Sequence, residues 1–245
     1  MTARIIWTEI KLLTREPLVL VVSLLFPVLL MVLLLASFNA DPEPVLDNIA
    51  GTDFYLLSYL AAAVAVMGFM GTPTHLASYR QSGVLRRFAA AGIPATSLVI
   101  AQLVVLAVLA VVSAAIMIPL AYAGFDLADP VSITGAAAGF GLGILAFAAI
   151  GALLGSLLPT PRAAQGLGLL LFFGTFFVAG GGPPPTLLPD ALNDVAEVTP
   201  VGLLINAIRS PWTGQGMDIP AMVGLAGIAV VGFALAVRRL GRGVS

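Results

Sequence analysis

The stretch ITGAAAGFGLGILAFAAIGALLGSLL, residues 133–158, decides the fold, because it runs without an ionisable side chain over a length that can cross a bilayer. A transmembrane helix needs about 20 apolar residues, and backbone in lipid must satisfy its own hydrogen bonds. The stretch is therefore predicted to be a membrane-spanning helix. Its glycines form a stripe that lets another helix approach closely, which we interpret as internal packing rather than a dimer seam. They are Gly135, Gly139, Gly143, Gly151 and Gly155.

The rest of the chain is also strongly apolar and poor in charge. Hydrophobic residues make up 60% of it and charged residues 9%, whereas a soluble domain carries about 25% charged residues. We therefore predict an all-α integral membrane protein with six spans in a single membrane domain over residues 1–245. The other five spans are Leu18–Phe38, Phe54–Thr72, Leu98–Ala123, Ala164–Gly181 and Ile219–Val237.

The placement of charge predicts the orientation. Every basic residue except Arg209 falls on one side of the six-span topology, and every acidic residue except Glu9 and Glu16 falls on the other. Basic residues are enriched on the cytoplasmic side of membrane proteins. Both termini are therefore expected in the cytoplasm. The composition is rich in Ala, Gly and Val and uses far more Arg than Lys, which indicates a GC-rich bacterial genome. The expected location is then the bacterial plasma membrane.

Several classes of chemistry are excluded. None of the six predicted spans contains an ionisable residue, whereas ion-coupled transporters use buried charge. The chain has no cysteine and only His75 as a histidine, so no metal site or bound cofactor is expected. It also lacks the glycine-lysine phosphate loop of ATPases. We expect no enzyme activity in this chain. If it is a transporter, a partner must supply the energy at its cytoplasmic side.

Two cytoplasmic segments could contact such a partner. Residues 2–16 predict an amphipathic interfacial helix with Arg4, Lys11 and Arg15 on one face and Glu9 and Glu16 on another. Its role as a lipid anchor or as a partner contact stays open. The loop 75–97, HLASYRQSGVLRRFAAAGIPATS, is too long for a bare connector and holds a basic, helix-compatible stretch. It could instead serve only as a topology signal.

The outer segment 182–218 is unusually apolar for an exposed loop. It predicts two short helices, one amphipathic and one after Pro200. Such a pair could re-enter the membrane surface as a hairpin and cap a pathway, or it could be an ordinary pair of surface helices.

The order of these features along the chain resembles that in the permease subunits of ABC type-2 exporters. The N-terminal helix that runs into LLTREPLVLVVSLLFPVLL, the loop SGVLRRFAAAGIPATSLVIAQ and the outer segment GGGPPPTLLPDALNDVAEVTPVGLLINAIR all match that pattern. The resemblance covers nearly the whole chain. It implies that two permease chains, identical or homologous, pair in the membrane and that two ATP-binding cassette subunits, which bind ATP and Mg, dock below them.

The resemblance also implies roles for particular residues. The N-terminal helix and the first cytoplasmic loop would transmit ATP-driven movement to the spans. The coupling residues would be Glu9, Glu16, Ser78, Tyr79, Arg80, Gly83, Leu85, Arg86, Arg87 and Phe88. An outer gate would include Pro189, Pro200 and Arg209. Family substrates are drugs, antibiotics, lipids or glycan-linked lipids.

An apolar set of side chains could line the pathway for a hydrophobic or amphipathic substrate. It comprises Phe69, Met70, Phe172, Phe173, Phe176 and Phe177. The alternative for each is lipid contact or core packing. Two rival functions also remain at this point: a non-transport membrane scaffold or assembly subunit, and a passive channel or scramblase.

Overall fold

A computed structural model describes residues 7, 9, 11, 24–38, 41–46, 48–183 and 187–242. Nearly all of the described chain is helical. The helices are α1 (Phe26–Leu35), α2 (Gly51–Val66), α3 (Thr72–Gln81), α4 (Val84–Ala90), α5 (Ala95–Gly124), α6 (Ile133–Leu157), α7 (Pro161–Phe176), α8 (Asp190–Val198), α9 (Pro200–Trp212) and α10 (Ile219–Arg242). Two short strands, β1 (Pro42–Glu43) and β2 (Ile49–Ala50), pair antiparallel between α1 and α2.

Within the described residues, five helices are long and apolar enough to cross a membrane. This confirms the second to sixth predicted spans as helices. The first predicted span, Leu18–Phe38, lies partly outside the described residues, and its described part contains the apolar helix α1. The interfacial helix predicted over residues 2–16 lies almost wholly outside them; residues 7, 9 and 11 are helical.

The second span lies at the centre of the bundle. It runs from Gly51 to Gln81, and 89% of its most apolar window is buried inside the protein. A wide π-type turn at Met67–Gly71 joins α2 to α3. Such π-type turns are rare and often lie at functional sites. Within this turn the Phe69 ring packs edge-on against Phe147 of α6, with centroids 5.2 Å apart. The second span therefore positions the elements around it.

The glycine stripe of α6 is used for internal packing. Gly139 lies directly against the Ala207 carbonyl of α9, and Gly143 lies against Leu204. Farther along, a Cβ at Gly151 would be 2.7 Å from the Gly68 carbonyl oxygen of the second span. The stripe thus brings α9 and the second span against the same helix. This agrees with the packing role expected from the sequence.

The outer segment forms two helices, α8 and α9, as the pattern predicts, with an 80° bend between them. Thr199 starts α9, because its hydroxyl accepts a hydrogen bond from the Gly202 amide at 3.1 Å. Pro200 occupies the first turn, where a missing N–H costs nothing. Most of α9 is buried against α6 and the second span.

Candidate functional site

The carboxylate of Glu9 joins three parts of the chain. It accepts a hydrogen bond from the Tyr79 hydroxyl of α3 at 2.7 Å and from the Gln102 amide of α5 at 3.2 Å. The Glu9 side chain is 8% exposed, whereas Trp7 is 69% exposed. Glu9 is therefore buried against the second and third spans, whereas Trp7 is not. Glu16, the other acidic coupling candidate, lies outside the described residues.

Arg80 fastens α3 to the end of α6. Its Nη1 atom donates to the carbonyl oxygens of Ser156 at 2.7 Å, Leu158 at 3.1 Å and Gly155 at 3.4 Å. The last carbonyls of a helix lack partners within the helix, and a cation there complements the helix dipole. Arg80 therefore holds the end of α3 to the end of α6.

The short helix α4 projects from the same end of the bundle. Gly83 and Gly92 flank it with φ angles of 72° and 70°, a conformation that favours glycine. Leu85 and Phe88 pack against a small apolar cluster that contains Leu76, Leu98 and Leu240. Arg86 and Arg87 are exposed, as is Ser78 before the turn. An anchored helix with exposed basic side chains can act as a contact surface for a partner.

Four of the six aromatic and apolar pathway candidates lie together on α7 and its continuation. Phe172 stacks on Phe176 with ring centroids 5.1 Å apart, and Phe173 stacks on Phe177 at 5.7 Å. They line a cleft with α1 and Tyr59. The cleft holds only about 30 Å³, whereas drug-sized ligands occupy pockets of about 300–1,000 Å³. One chain alone does not enclose a substrate chamber at this cleft.

The other two pathway candidates lie elsewhere. Phe69 is 3% exposed and packs on α6 in the core. Met70 lies beside Gly168 of α7. Neither residue lines the aromatic cleft. For Phe69 the observed place is the core-packing alternative.

At the opposite end of the second span, two tyrosines hold the end of the fifth span. The Tyr55 hydroxyl donates to the Gly182 carbonyl oxygen at 3.1 Å, and Tyr59 donates to that of Gly181 at 3.2 Å. Gly180 has a φ of 87°, so the helical hydrogen bonding ends here. The tyrosines supply donors to carbonyls that the ending helix leaves without partners.

We predict that Tyr59→Phe lowers the free energy of unfolding by about 0.5–1.5 kcal/mol, because it removes one buried hydrogen bond and leaves a carbonyl unsatisfied. Unfolding of the purified chain in detergent measures the change. The matched control is Tyr122→Phe, since Tyr122 is 41% exposed and its hydroxyl contacts are 3.4 and 3.5 Å long. Equal effects of both substitutions would contradict the assignment.

Two charged side chains are buried where α9 meets the second span. The Arg209 guanidinium lies 3.9 Å above the Phe54 ring centroid and donates from Nη2 to the Ser58 hydroxyl at 3.0 Å. Trp212 donates to the Asp53 carboxylate at 3.2 Å. Arg209 is 9% exposed and Asp53 is 4% exposed.

The helix that forms the second predicted span is longer than the predicted Phe54–Thr72. The second span begins at Gly51 rather than Phe54, so it includes Asp53, and its other end extends past His75 and Arg80. Of the outer-gate candidates, Arg209 is buried against this span, Pro200 starts α9, and Pro189 directly precedes α8. The three do not meet at one point on the surface.

Residues 45–238 match a family model described as ABC-2 family transporter protein. The chain belongs to this family. Among curated proteins, no relative matches. As an ABC-2 chain it is a membrane permease of an ABC transporter, a transmembrane component that partners with ATP-binding subunits. The match confirms the resemblance recognised in the sequence.

The ABC-2 permease also contains contact residues that the sequence did not single out. Gln102 is one of several isolated polar residues in the spans, and Trp212 and Asp53 lie outside the predicted span boundaries. The signal for each is weak, since a single polar residue in an apolar run most often satisfies a local hydrogen bond. Their partners are distant in sequence.

Proposed function

We propose that this permease forms half of the membrane pathway of a bacterial exporter. Separate ATP-binding cassette subunits bind ATP and Mg and drive alternating access, which moves a hydrophobic or amphipathic substrate such as a drug, an antibiotic or a lipid-like molecule outward. Both termini face the cytoplasm, on the side where the basic residues concentrate. Efflux of this kind can confer multidrug resistance.

The observation that carries the proposal is the set of contacts at the basic end of the bundle. The Glu9 carboxylate joins the N-terminal helix to the second and third spans. Arg80 joins the end of α3 to the fourth span. A push on the chain at Glu9 would therefore reach the second and third spans, and Arg80 would pass a movement of α3 to the fourth. This is the arrangement needed to pass movement from an ATPase into a membrane domain.

A second permease chain supplies the rest of the pathway. The cleft of Phe172, Phe173, Phe176 and Phe177 is too small to hold a substrate alone. Phe173 and Phe177 are 36% and 47% exposed, and α7 as a whole leaves most of its apolar surface uncovered. A second copy or a homologue facing this side would enlarge the cleft into an apolar chamber. The α8–α9 pair would re-enter from the outer surface and close the chamber from above.

The proposal predicts the outcome of co-purification. A roughly stoichiometric ATP-binding subunit should accompany the permease, and the reconstituted complex should hydrolyse ATP faster when substrate is present. A scaffold or assembly subunit would bring down another protein. A passive channel or a scramblase would work without any ATPase. Either outcome would replace the proposal.

The double substitution Arg86→Ala with Arg87→Ala should uncouple the complex. Both side chains are exposed on α4, so insertion and folding should persist while ATP-driven export falls about tenfold or more, as expected for the loss of two charge-assisted contacts. Transport into vesicles and ATP hydrolysis are measured side by side. Arg162→Ala, in the first turn of α7, is the matched surface control, because Arg162 is also exposed. If the double variant still binds its ATPase and exports normally, then α4 does not couple ATP hydrolysis to transport.

A further inference from the structure

A basic cleft opens where three of the spans end at the same face. Arg80, Arg86 and Arg239 line it, together with Ser156 and the apolar side chains of Leu85 and Leu240. Its volume is about 280 Å³. The second, fourth and sixth spans end beside it at Gln81, Leu157 and Gly241. The cleft therefore lies where three candidate spans end, and headgroups would surround it if those spans cross the bilayer.

The lining of the cleft is basic. Three arginine side chains line it, and none of the described residues beside them is acidic. Like charges held close together repel each other unless an anion lies between them. The three hydrogen bonds of Arg80 all come from its Nη1 atom and go to the end of α6. Arg80 thus holds α3 against α6 at one wall of the cleft. Arg86 of α4 and Arg239 of α10 contribute positive charge to its other walls.

We propose that this cleft binds the phosphate group of an anionic phospholipid in the cytoplasmic leaflet. The guanidinium fork matches phosphate oxygens in pairs. Basic pockets between transmembrane helices on the cytoplasmic side recognise anionic headgroups. Leu85 and Leu240 give the cleft an apolar wall beside the charges, which suits the glycerol and upper acyl region of a lipid. The lipid would bridge α4 to α10 and so fix the position of the loop that faces the ATPase.

The sequence offers two matched pairs of variants. Arg86 lines the cleft and its neighbour Arg87 does not; Arg239 lines it and Arg238 does not. All four side chains are exposed. The four single alanine variants of the full chain are placed in nanodiscs of equal amounts of phosphatidylcholine and phosphatidylglycerol, and lipids retained by the protein are counted by native mass spectrometry.

Arg86→Ala and Arg239→Ala should each retain about fivefold less phosphatidylglycerol, as expected for one basic contact at a membrane surface. Arg87→Ala and Arg238→Ala should retain the wild-type amount. An equal loss in all four variants would mean general surface charge, and no loss in any would mean no site. Both results overturn the proposal.

A second measurement needs no variant. Phenylglyoxal modifies accessible arginines in the wild-type protein. Phosphatidylglycerol should protect Arg86 and Arg239 but not Arg87 or Arg238, compared with phosphatidylcholine alone. Protection by inorganic phosphate in phosphatidylcholine discs would instead assign the cleft to a soluble anion. Protection only after the ATP-binding subunit is added would assign it to an acidic protein surface. Each of these two results overturns the lipid assignment and leaves the proposed coupling intact.

Discussion

Gly139→Ala is expected to destabilise the permease by about 1–3 kcal/mol, the range for forcing extra atoms into a packed core. The new methyl group would collide with the backbone carbonyl of Ala207, which cannot rotate out of the way as a side chain could. Helices α6 and α9 would have to separate. Because α9 also holds Arg209 and Trp212 against the second span, the separation would loosen those contacts as well.

The same helix provides the control. Gly141 has no atom within 4 Å of where a Cβ would be placed, so Gly141→Ala should be neutral or should stabilise by about 0.5–1 kcal/mol through reduced chain entropy. The two variants are heated in detergent, and size-exclusion chromatography measures the fraction that remains folded at each temperature. The midpoint temperatures of the two variants are then compared. If Gly141→Ala is as harmful as Gly139→Ala, then the damage reflects lost glycine in general and not the close approach of α9.

The stripe that contains Gly139 illustrates what the sequence could predict. Apolar length, charge placement and small-residue spacing depend on local composition, so they predicted the spans, the internal use of the stripe and the two outer helices. Span boundaries were less accurate. The second span was predicted to begin at Phe54, because Asp53 lowers the local hydropathy, but Trp212 lies close enough to satisfy that carboxylate.

The contacts at the candidate site were harder to predict, because they depend on residues far apart in sequence and not on local composition. A helical projection separates the acidic face from the basic face of the N-terminal segment, but it does not say which face packs. Glu9 packs because Tyr79 and Gln102 provide donors, and these lie 70 and 93 residues away along the chain. Arg80 was predicted as a coupling residue, and the sequence did not indicate that its guanidinium contacts the end of α6. Long-range partners of this kind are not encoded in local periodicity.

Glu9→Ala should disconnect ATP hydrolysis from transport. It removes the hydrogen bonds that Glu9 accepts from Tyr79 of α3 and Gln102 of α5. Hydrogen bonds to a charged group contribute about 1.5–3 kcal/mol, so the response of ATP hydrolysis to substrate should fall about tenfold or more. Basal hydrolysis should continue, because the ATP-binding subunits keep their own active sites. The measurement is ATP turnover by the reconstituted complex with and without substrate.

A double-mutant cycle separates coupling from simple damage. Tyr79→Phe removes one donor and keeps the ring, so the pair Glu9→Ala and Tyr79→Phe should be non-additive by about 0.5–3 kcal/mol, as residues in direct contact usually are. Glu9→Gln keeps one oxygen acceptor, for either Tyr79 or Gln102, and loses the second acceptor and the charge, so its effect should be intermediate. Additive effects, or a normal substrate response in Glu9→Ala, would show that movement enters the membrane domain through α4 alone. In that case the contact of Glu9 would be a fold-stabilising anchor, and only the unfolding free energy would change.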